Sequence, residues 1–196
     1  MDHSMRPKLS IVIPIHEVKG GADFLWRSVN ALTEQSFQDF EIIITKAGKM
    51  AENTNEGLRQ ARGELIKILY LDDYLAHKDA LKDIVEAFTP QANWLITGAN
   101  NNPYPYYTED ILTGNNKLGS PSVLTIRNGL GVYFDEKMTW LLDCDVYNSL
   151  YRKYGEPVII DGVGVIIGEG DHQVTHQLSA ETKNAEADYL LKKYNG

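Results

Sequence analysis

The stretch Lys67-Ile-Leu-Tyr-Leu-Asp-Asp-Tyr-Leu75 decides how the chain is read. An apolar run from Leu65 to Leu71 stops at two adjacent carboxylates, Asp72 and Asp73. Bounded by Gly63-Glu64 before and polar residues after, a run of this length reads as a strand buried on both faces. Open α/β sheets bind ligands at the carboxyl ends of their strands, which is where the two acids fall. Hard carboxylate oxygens suit Mg²⁺ or Mn²⁺, ions that bind through one or two carboxylates together with substrate phosphates. The other reading of the pair is a helix N-cap, for which Asp is a favoured residue.

Working outward, Leu9-Ser-Ile-Val-Ile-Pro14 is a β-branched strand stopped by proline, and Glu41-Ile-Ile-Ile-Thr45 is a second buried strand. Between them, Asp23 is placed to cap a helix whose apolar face carries Leu25, Trp26, Val29 and Leu32. A short helix is expected over residues 55–62, with Gly63 at its exit. Past the aspartates, a helix with Leu81, Ile84, Val85 and Phe88 stops before Pro90, and Asn93-Trp-Leu-Ile-Thr97 makes a fourth strand. This alternation indicates βαβ units and an α/β fold with a mainly parallel sheet. The second half is less periodic. Residues 100–122 read as a long loop whose Tyr104, Tyr106 and Tyr107 either stack on sugars or cover the core. A strand is expected over 122–127, separated by Gly129-Leu-Gly131 from Val132-Tyr-Phe134. A helix over 139–154 carries Asp143 and Asp145, two short strands follow at 158–160 and 163–167, and Gly168-Glu-Gly-Asp-His172 is glycine-rich and polar. Ser179 is placed to cap a last helix, charged enough for a surface position. No repeat or linker interrupts the sequence, so a single domain over 1–196 is expected.

Composition narrows the function. Hydrophobic residues make up 43% of 196 residues, enough for one real core. No apolar run is long enough to cross a bilayer, and the first ten residues lack the apolar centre of a secretory signal. The single Cys144 excludes an internal disulfide framework, and no Cys/His cluster has zinc spacing. A reducing, cytoplasmic setting is expected. A net charge of -8 with no basic block argues against a nucleic-acid binder. No Gly-x-Gly-x-x-Gly follows the first strand, which speaks against a dinucleotide-binding oxidoreductase.

In their order and spacing the motifs resemble glycosyltransferase family 2, of the GT-A fold, in its short single-domain members. The resemblance rests on Ile11-Val-Ile-Pro14, then Gln35-Ser-Phe37 with Asp39-Phe-Glu-Ile-Ile43. Asn55-Glu-Gly57, Ala61-Arg-Gly-Glu64, the aspartate motif and Trp140-Leu-Leu-Asp-Cys-Asp145 before Gly155 follow in turn. It covers about residues 8–175, and it divides the domain into a nucleotide-binding half (8–98), an acceptor half (99–178) and a C-terminal helix (179–194).

The resemblance implies a metal-dependent, inverting, hexosyltransferase-like enzyme that moves a sugar from a nucleotide donor, most simply a UDP-sugar, to a hydroxyl of a glycan or other acceptor. Aligned with the family's Asp-x-Asp motif, Asp72 takes the second, metal-binding position and Tyr70 stands at the first, with Asp73 as a helper. His172 lies in the segment that supplies a further contact to metal or diphosphate. Mn²⁺ or Mg²⁺ is the implied cofactor. Asp143 matches the general base, and Pro14, His16, Glu17, Lys46, Asn55, Leu71 and Asp72 match the donor-binding positions. Several donor positions depart from the family pattern. Ile15-His16-Glu17 replaces Thr-Tyr-Asn, Thr45-Lys46-Ala47-Gly48 replaces Asp-Asp-Gly-Ser, and Thr54 stands where an arginine is common. The loop 114–122 is assigned to sugar or acceptor contacts. A catalytically silent GT-A domain that binds a nucleotide or glycan, or serves in an assembly, is the alternative.

Overall fold

In the computed structural model, residues 6–169 and 178–195 are described. The aliphatic runs form Leu9–Pro14 (β1), Phe40–Thr45 (β2), Leu65–Ile68 (β3) and Trp94–Ala99 (β5), with the two-residue Tyr74–Leu75 (β4) just past the aspartates. Leu124–Arg127 (β6) and Val158–Ile166 (β7) complete a seven-stranded sheet of order β2-β1-β3-β6-β5-β7-β4. The β2, β1 and β3 strands are parallel, as the βαβ spacing requires, and β5 pairs in parallel with β7. Antiparallel β6 joins these two groups, and β4 closes the far edge against β7. The fold is α/β: a mixed, mainly parallel sheet flanked by helices, of the GT-A, Rossmann-like type. The two short strands expected at 158–160 and 163–167 are one strand, because β7 stays paired to β5 through a register shift between Thr97 and Ala99. Val132-Tyr-Phe134 forms no strand.

The helices are Gly21–Thr33 (α1), Met50–Gln60 (α2), Ala80–Ala87 (α3), Leu142–Tyr154 (α4) and Ala180–Asn195 (α5). Leu32 is buried on α1 as expected, whereas Trp26 is 71% exposed, so the apolar face is narrower than its sequence pattern. α2 begins five residues before the expected start at Asn55. Two glycines of the early motifs set how closely elements pack. A Cβ on Gly57 would lie 2.2 Å from Val12 Cγ1, and one on Gly63 would lie 2.6 Å from the Ser10 amide nitrogen. Gly57→Ala therefore forces α2 off β1. We expect a loss of about 1–3 kcal/mol, read as a lower midpoint in urea with an unchanged slope.

Candidate active site

Beyond β3 the chain turns at Leu69–Asp73, and the Asp73 amide closes the turn on the Tyr70 carbonyl at 3.0 Å. Asp72 is half-exposed. Its carbonyl accepts a 2.6 Å hydrogen bond from Arg27 Nη2, and the Arg27 guanidinium lies 4.5 Å from the Tyr74 ring centroid. Behind it runs the exit of β7: a Cβ on Gly168 would lie 2.8 Å from Asp72 Oδ2. Only glycine lets the two segments approach this closely.

Asp73 is buried, and its Oδ1 accepts the Gly168 amide at 2.8 Å. Burial, with the charge of Asp72 beside it, pushes its carboxyl up to about 7. Neither aspartate caps the following helix, since α3 starts only at Ala80 and Asp79 precedes it. The N-cap reading of the pair is thereby corrected.

The expected donor residues divide between surface and interior. His16 and Glu17 are exposed beyond buried Pro14. With Ile15, Val18, Leu25 and buried Leu71 they line an open cleft of about 290 Å³ at the end of β1. Lys46 faces this end of the molecule, paired with Glu17 at 2.8 Å, and it holds the Glu17 carboxyl below its ordinary range. Asn55 is buried, and its amide is committed to the chain. Nδ2 donates to the Phe134 carbonyl (2.9 Å) and to Glu136 (3.0 Å), and Oδ1 accepts the Phe134 amide (2.8 Å). That geometry makes Asn55 a tether of the 134–136 segment. Asn53, two residues earlier, ties the ends of β1 and β2 by bonding the Ile15 carbonyl at 2.8 Å and the Ala47 amide at 3.0 Å.

Asp143 stands half-buried in the first turn of α4. Its Oδ1 accepts the Cys144 amide at 2.8 Å and its Oδ2 accepts Asn116 Nδ2 at 2.8 Å. Burial pushes its carboxyl above the ordinary range despite these two donors. Asn116 also bonds the Leu118 and Gly119 amides (2.8 and 3.2 Å) and the Gly119 carbonyl (2.8 Å). Thus the loop 114–122 organises itself around the residue that aims Asp143. Asp145 is buried away from the site, bonded to Lys193 and to the Tyr194 hydroxyl, each at 2.8 Å. Of the loop tyrosines, Tyr107 packs on Tyr151 with centroids 3.8 Å apart, while Tyr104 and Tyr106 are 70% and 56% exposed.

The α5 helix does more than cover a surface. Glu186, buried, accepts the amides of Thr139 and Trp140 at 2.8 Å and of Leu141 at 2.9 Å, just ahead of α4. The Leu141 side chain offers no cap, so a distant carboxylate satisfies the donors that precede the Asp143 turn. Glu186→Ala strands these amides. We expect a loss of about 1–3 kcal/mol and faster hydrogen exchange confined to residues 139–141.

Tyr70 joins the two carboxylate groups. Its hydroxyl, half-buried and 3.4 Å from Thr54 Oγ1, feels the charges of both Asp143 and Asp73. Together with burial they push the phenol far up, so it remains protonated. Tyr70 thus lies within electrostatic reach of both Asp143 and the aspartate turn. His172 lies outside the described residues, and among the described residues no three His, Cys, Asp or Glu side chains cluster as a metal site. None of the described helices is long and apolar enough to cross a membrane.

The topology is that of the GT-A glycosyltransferase fold, which solved structures of low sequence identity share. Among solved structures, the S. aureus TarS fragment 1–349 in complex with UDP-GlcNAc superposes with a TM-score of 0.67 at 15% identity, over 95% of this chain and 71% of that one. The mannosyltransferase PcManGT from Pyrobaculum calidifontis, in complex with GDP-Man and Mn²⁺, matches with a TM-score of 0.64 at 13% identity, over 96% and 71%. A further structure of the TarS fragment 1–349 matches over 82% of this chain and 60% of its own, at 16% identity and a TM-score of 0.65. The chain thus spans 60% to 71% of the length of these solved chains and 42% of that of a longer S. aureus TarS structure. No family model matches the sequence. No curated protein matches it either.

Proposed function

We propose that this chain transfers a sugar from a nucleotide-sugar, most simply a UDP-sugar, to an acceptor hydroxyl with inversion, aided by Mn²⁺ or Mg²⁺. What supports this reading is that the Tyr70 hydroxyl, beside the aspartate turn at the end of β3, feels the charges of both Asp73 and Asp143. Support for the donor class comes from neighbours of the same fold that hold UDP-GlcNAc or GDP-Man.

The aspartate turn fits a divalent cation of modest protein ligation. Asp72 presents a half-exposed carboxylate at the strand end, while Asp73 is committed to Gly168. One carboxylate plus diphosphate oxygens is a normal Mg²⁺ or Mn²⁺ environment. The bound cation supplies charge neutralisation for the departing diphosphate. Tyr70, where the family motif has its first aspartate, adds a protonated hydroxyl to the same space. His16, Glu17 and Leu71 border the cleft in which the nucleoside would lie, and Lys46 is placed to meet a phosphate once it leaves Glu17.

Asp143 takes the proton from the acceptor hydroxyl as that oxygen attacks the anomeric carbon. Each of its oxygens already accepts one hydrogen bond, which fixes the carboxylate plane and leaves further lone pairs for the acceptor. The elevated carboxyl makes it a stronger base than an ordinary aspartate. Acceptors are glycans or other hydroxyl compounds, with Tyr104 and Tyr106 exposed on the same half of the chain.

The second reading is a catalytically silent domain that binds a nucleotide or glycan, favoured by Tyr70 in the first aspartate position and by the Glu17–Lys46 pair at the nucleoside end. Nucleoside diphosphate release from a panel of UDP- and GDP-sugars with Mn²⁺ decides between them. Release above the buffer rate, stimulated by a glycan acceptor, supports the enzyme. Binding without release from any donor favours the silent domain.

A further inference from the structure

Lys67 is fully buried in the middle of β3, between residues that are themselves buried and apolar. Burying an ammonium is costly, and a Met or Leu of similar volume would fill this place without that cost. Here the ammonium is used as a three-way donor. Nζ bonds the carbonyls of Ile68 at 3.1 Å and Leu124 at 3.5 Å, and it bonds the Ser122 carbonyl most closely of the three. Desolvation still draws it down to about 7, with Asp73 opposing that shift.

Ser122 sits in the 3₁₀ turn Pro121–Val123, and its side chain faces the aspartate turn. Its Oγ accepts the Tyr70 amide at 2.7 Å, and Ser122 offsets part of the upward shift of the Asp73 carboxyl. Asp73 in turn accepts the Gly168 amide at 2.8 Å. Hydrogen bonds therefore run from Lys67 to Ser122 and from Ser122 to the Tyr70 amide of the aspartate turn, which Asp73 ties to the exit of β7.

We propose that Lys67 is a positioning residue for the donor site: its ammonium pins the 121–123 turn to the end of β3, and Ser122 of that turn holds the aspartate turn in the shape that presents Asp72. The inference rests on the donor-site reading above. A merely structural lysine would affect the whole core evenly, whereas a positioning lysine acts on one turn.

The test compares Lys67→Met and Ser122→Ala with the wild-type chain, by amide hydrogen exchange and by titration of UDP and GDP with Mn²⁺. In both variants we expect the Tyr70 and Gly168 amides to exchange about tenfold faster while those of Ile11 and Ile13 stay unchanged, and Mn²⁺-dependent nucleotide affinity to fall about tenfold. Unchanged exchange at Tyr70 and Gly168, acceleration spread evenly over β1 and β3, or local acceleration with undiminished nucleotide affinity would each overturn it. Ser122→Ala keeps the buried ammonium and its carbonyl partner, so it carries the test if Lys67→Met does not fold. A wild-type chain that binds neither nucleotide defeats the donor-site reading, and the exchange measurement then decides separately whether Lys67 organises the turn.

Discussion

Asp143→Asn is expected to lower the turnover of sugar transfer by about 10³-fold while leaving nucleotide affinity within about twofold. The substitution keeps the size of the side chain and removes the basic oxygen. It also replaces one acceptor by an amide donor, although Asn116 Nδ2 and the Cys144 amide both point at this group. One of those donors must lose its partner, so a stability loss of about 1 kcal/mol accompanies the change. The pH profile separates the two effects. Burial raises the Asp143 carboxyl, and a base must be ionised, so wild-type turnover should fall with decreasing pH through a value above the ordinary ~4 of aspartate. The linkage to stability has the opposite sign. A raised folded-state pKa stabilises the fold below the unfolded value, and this contribution is lost as pH rises through the folded value. The Asn variant should show neither the acid limb nor that loss. An unaltered acid limb in the variant would move the base elsewhere.

Asp72→Ala is expected to weaken Mn²⁺-dependent nucleotide binding by at least about 100-fold and to leave metal-free binding unchanged. The prediction follows from the unequal environments of two adjacent carboxylates. Asp73 is buried and bonded to the Gly168 amide, whereas Asp72 is half-exposed at the end of β3. On the donor-site reading, removing Asp72 takes away the carboxylate that would hold the cation. It also removes a like charge beside Asp73, so the Asp73 carboxyl should return toward its ordinary value and the fold should not suffer. Calorimetric titration with and without Mn²⁺ reads the first effect, and thermal unfolding reads the second.

Strong local patterns made part of this molecule legible in sequence. The apolar runs of β1, β3 and β5 are buried on both faces, and such runs have few alternatives to a central strand. The Asn-x-Gly and Gly-Glu motifs proved to be packing devices, with Gly57 against Val12 and Gly63 against Ser10. That explains why they mark the fold better than they mark a ligand contact. Asn55 serves packing in the same way, its amide bonding the Phe134 backbone. Residues whose roles come from distant partners could not be read. Asn116 acts on Asp143 across the 114–122 loop, and Glu186 caps an α4 that begins more than a full helix away in sequence. Trp26 fits the helical apolar period, and yet among the described residues no neighbouring element covers it. Lys67 carried a visible signal, a single cation inside an apolar strand, although its partners at 122 and 124 emerge only once β6 lies beside β3.

The most direct test of the donor site is calorimetric titration of UDP and GDP into the wild-type chain, each with and without Mn²⁺. At least one nucleotide should bind in a Mn²⁺-dependent manner, and the same nucleotide should identify the donor series active in transfer. Absence of binding to either nucleotide by a folded chain in the presence of Mn²⁺, repeated with CDP and dTDP, would contradict the donor-site reading.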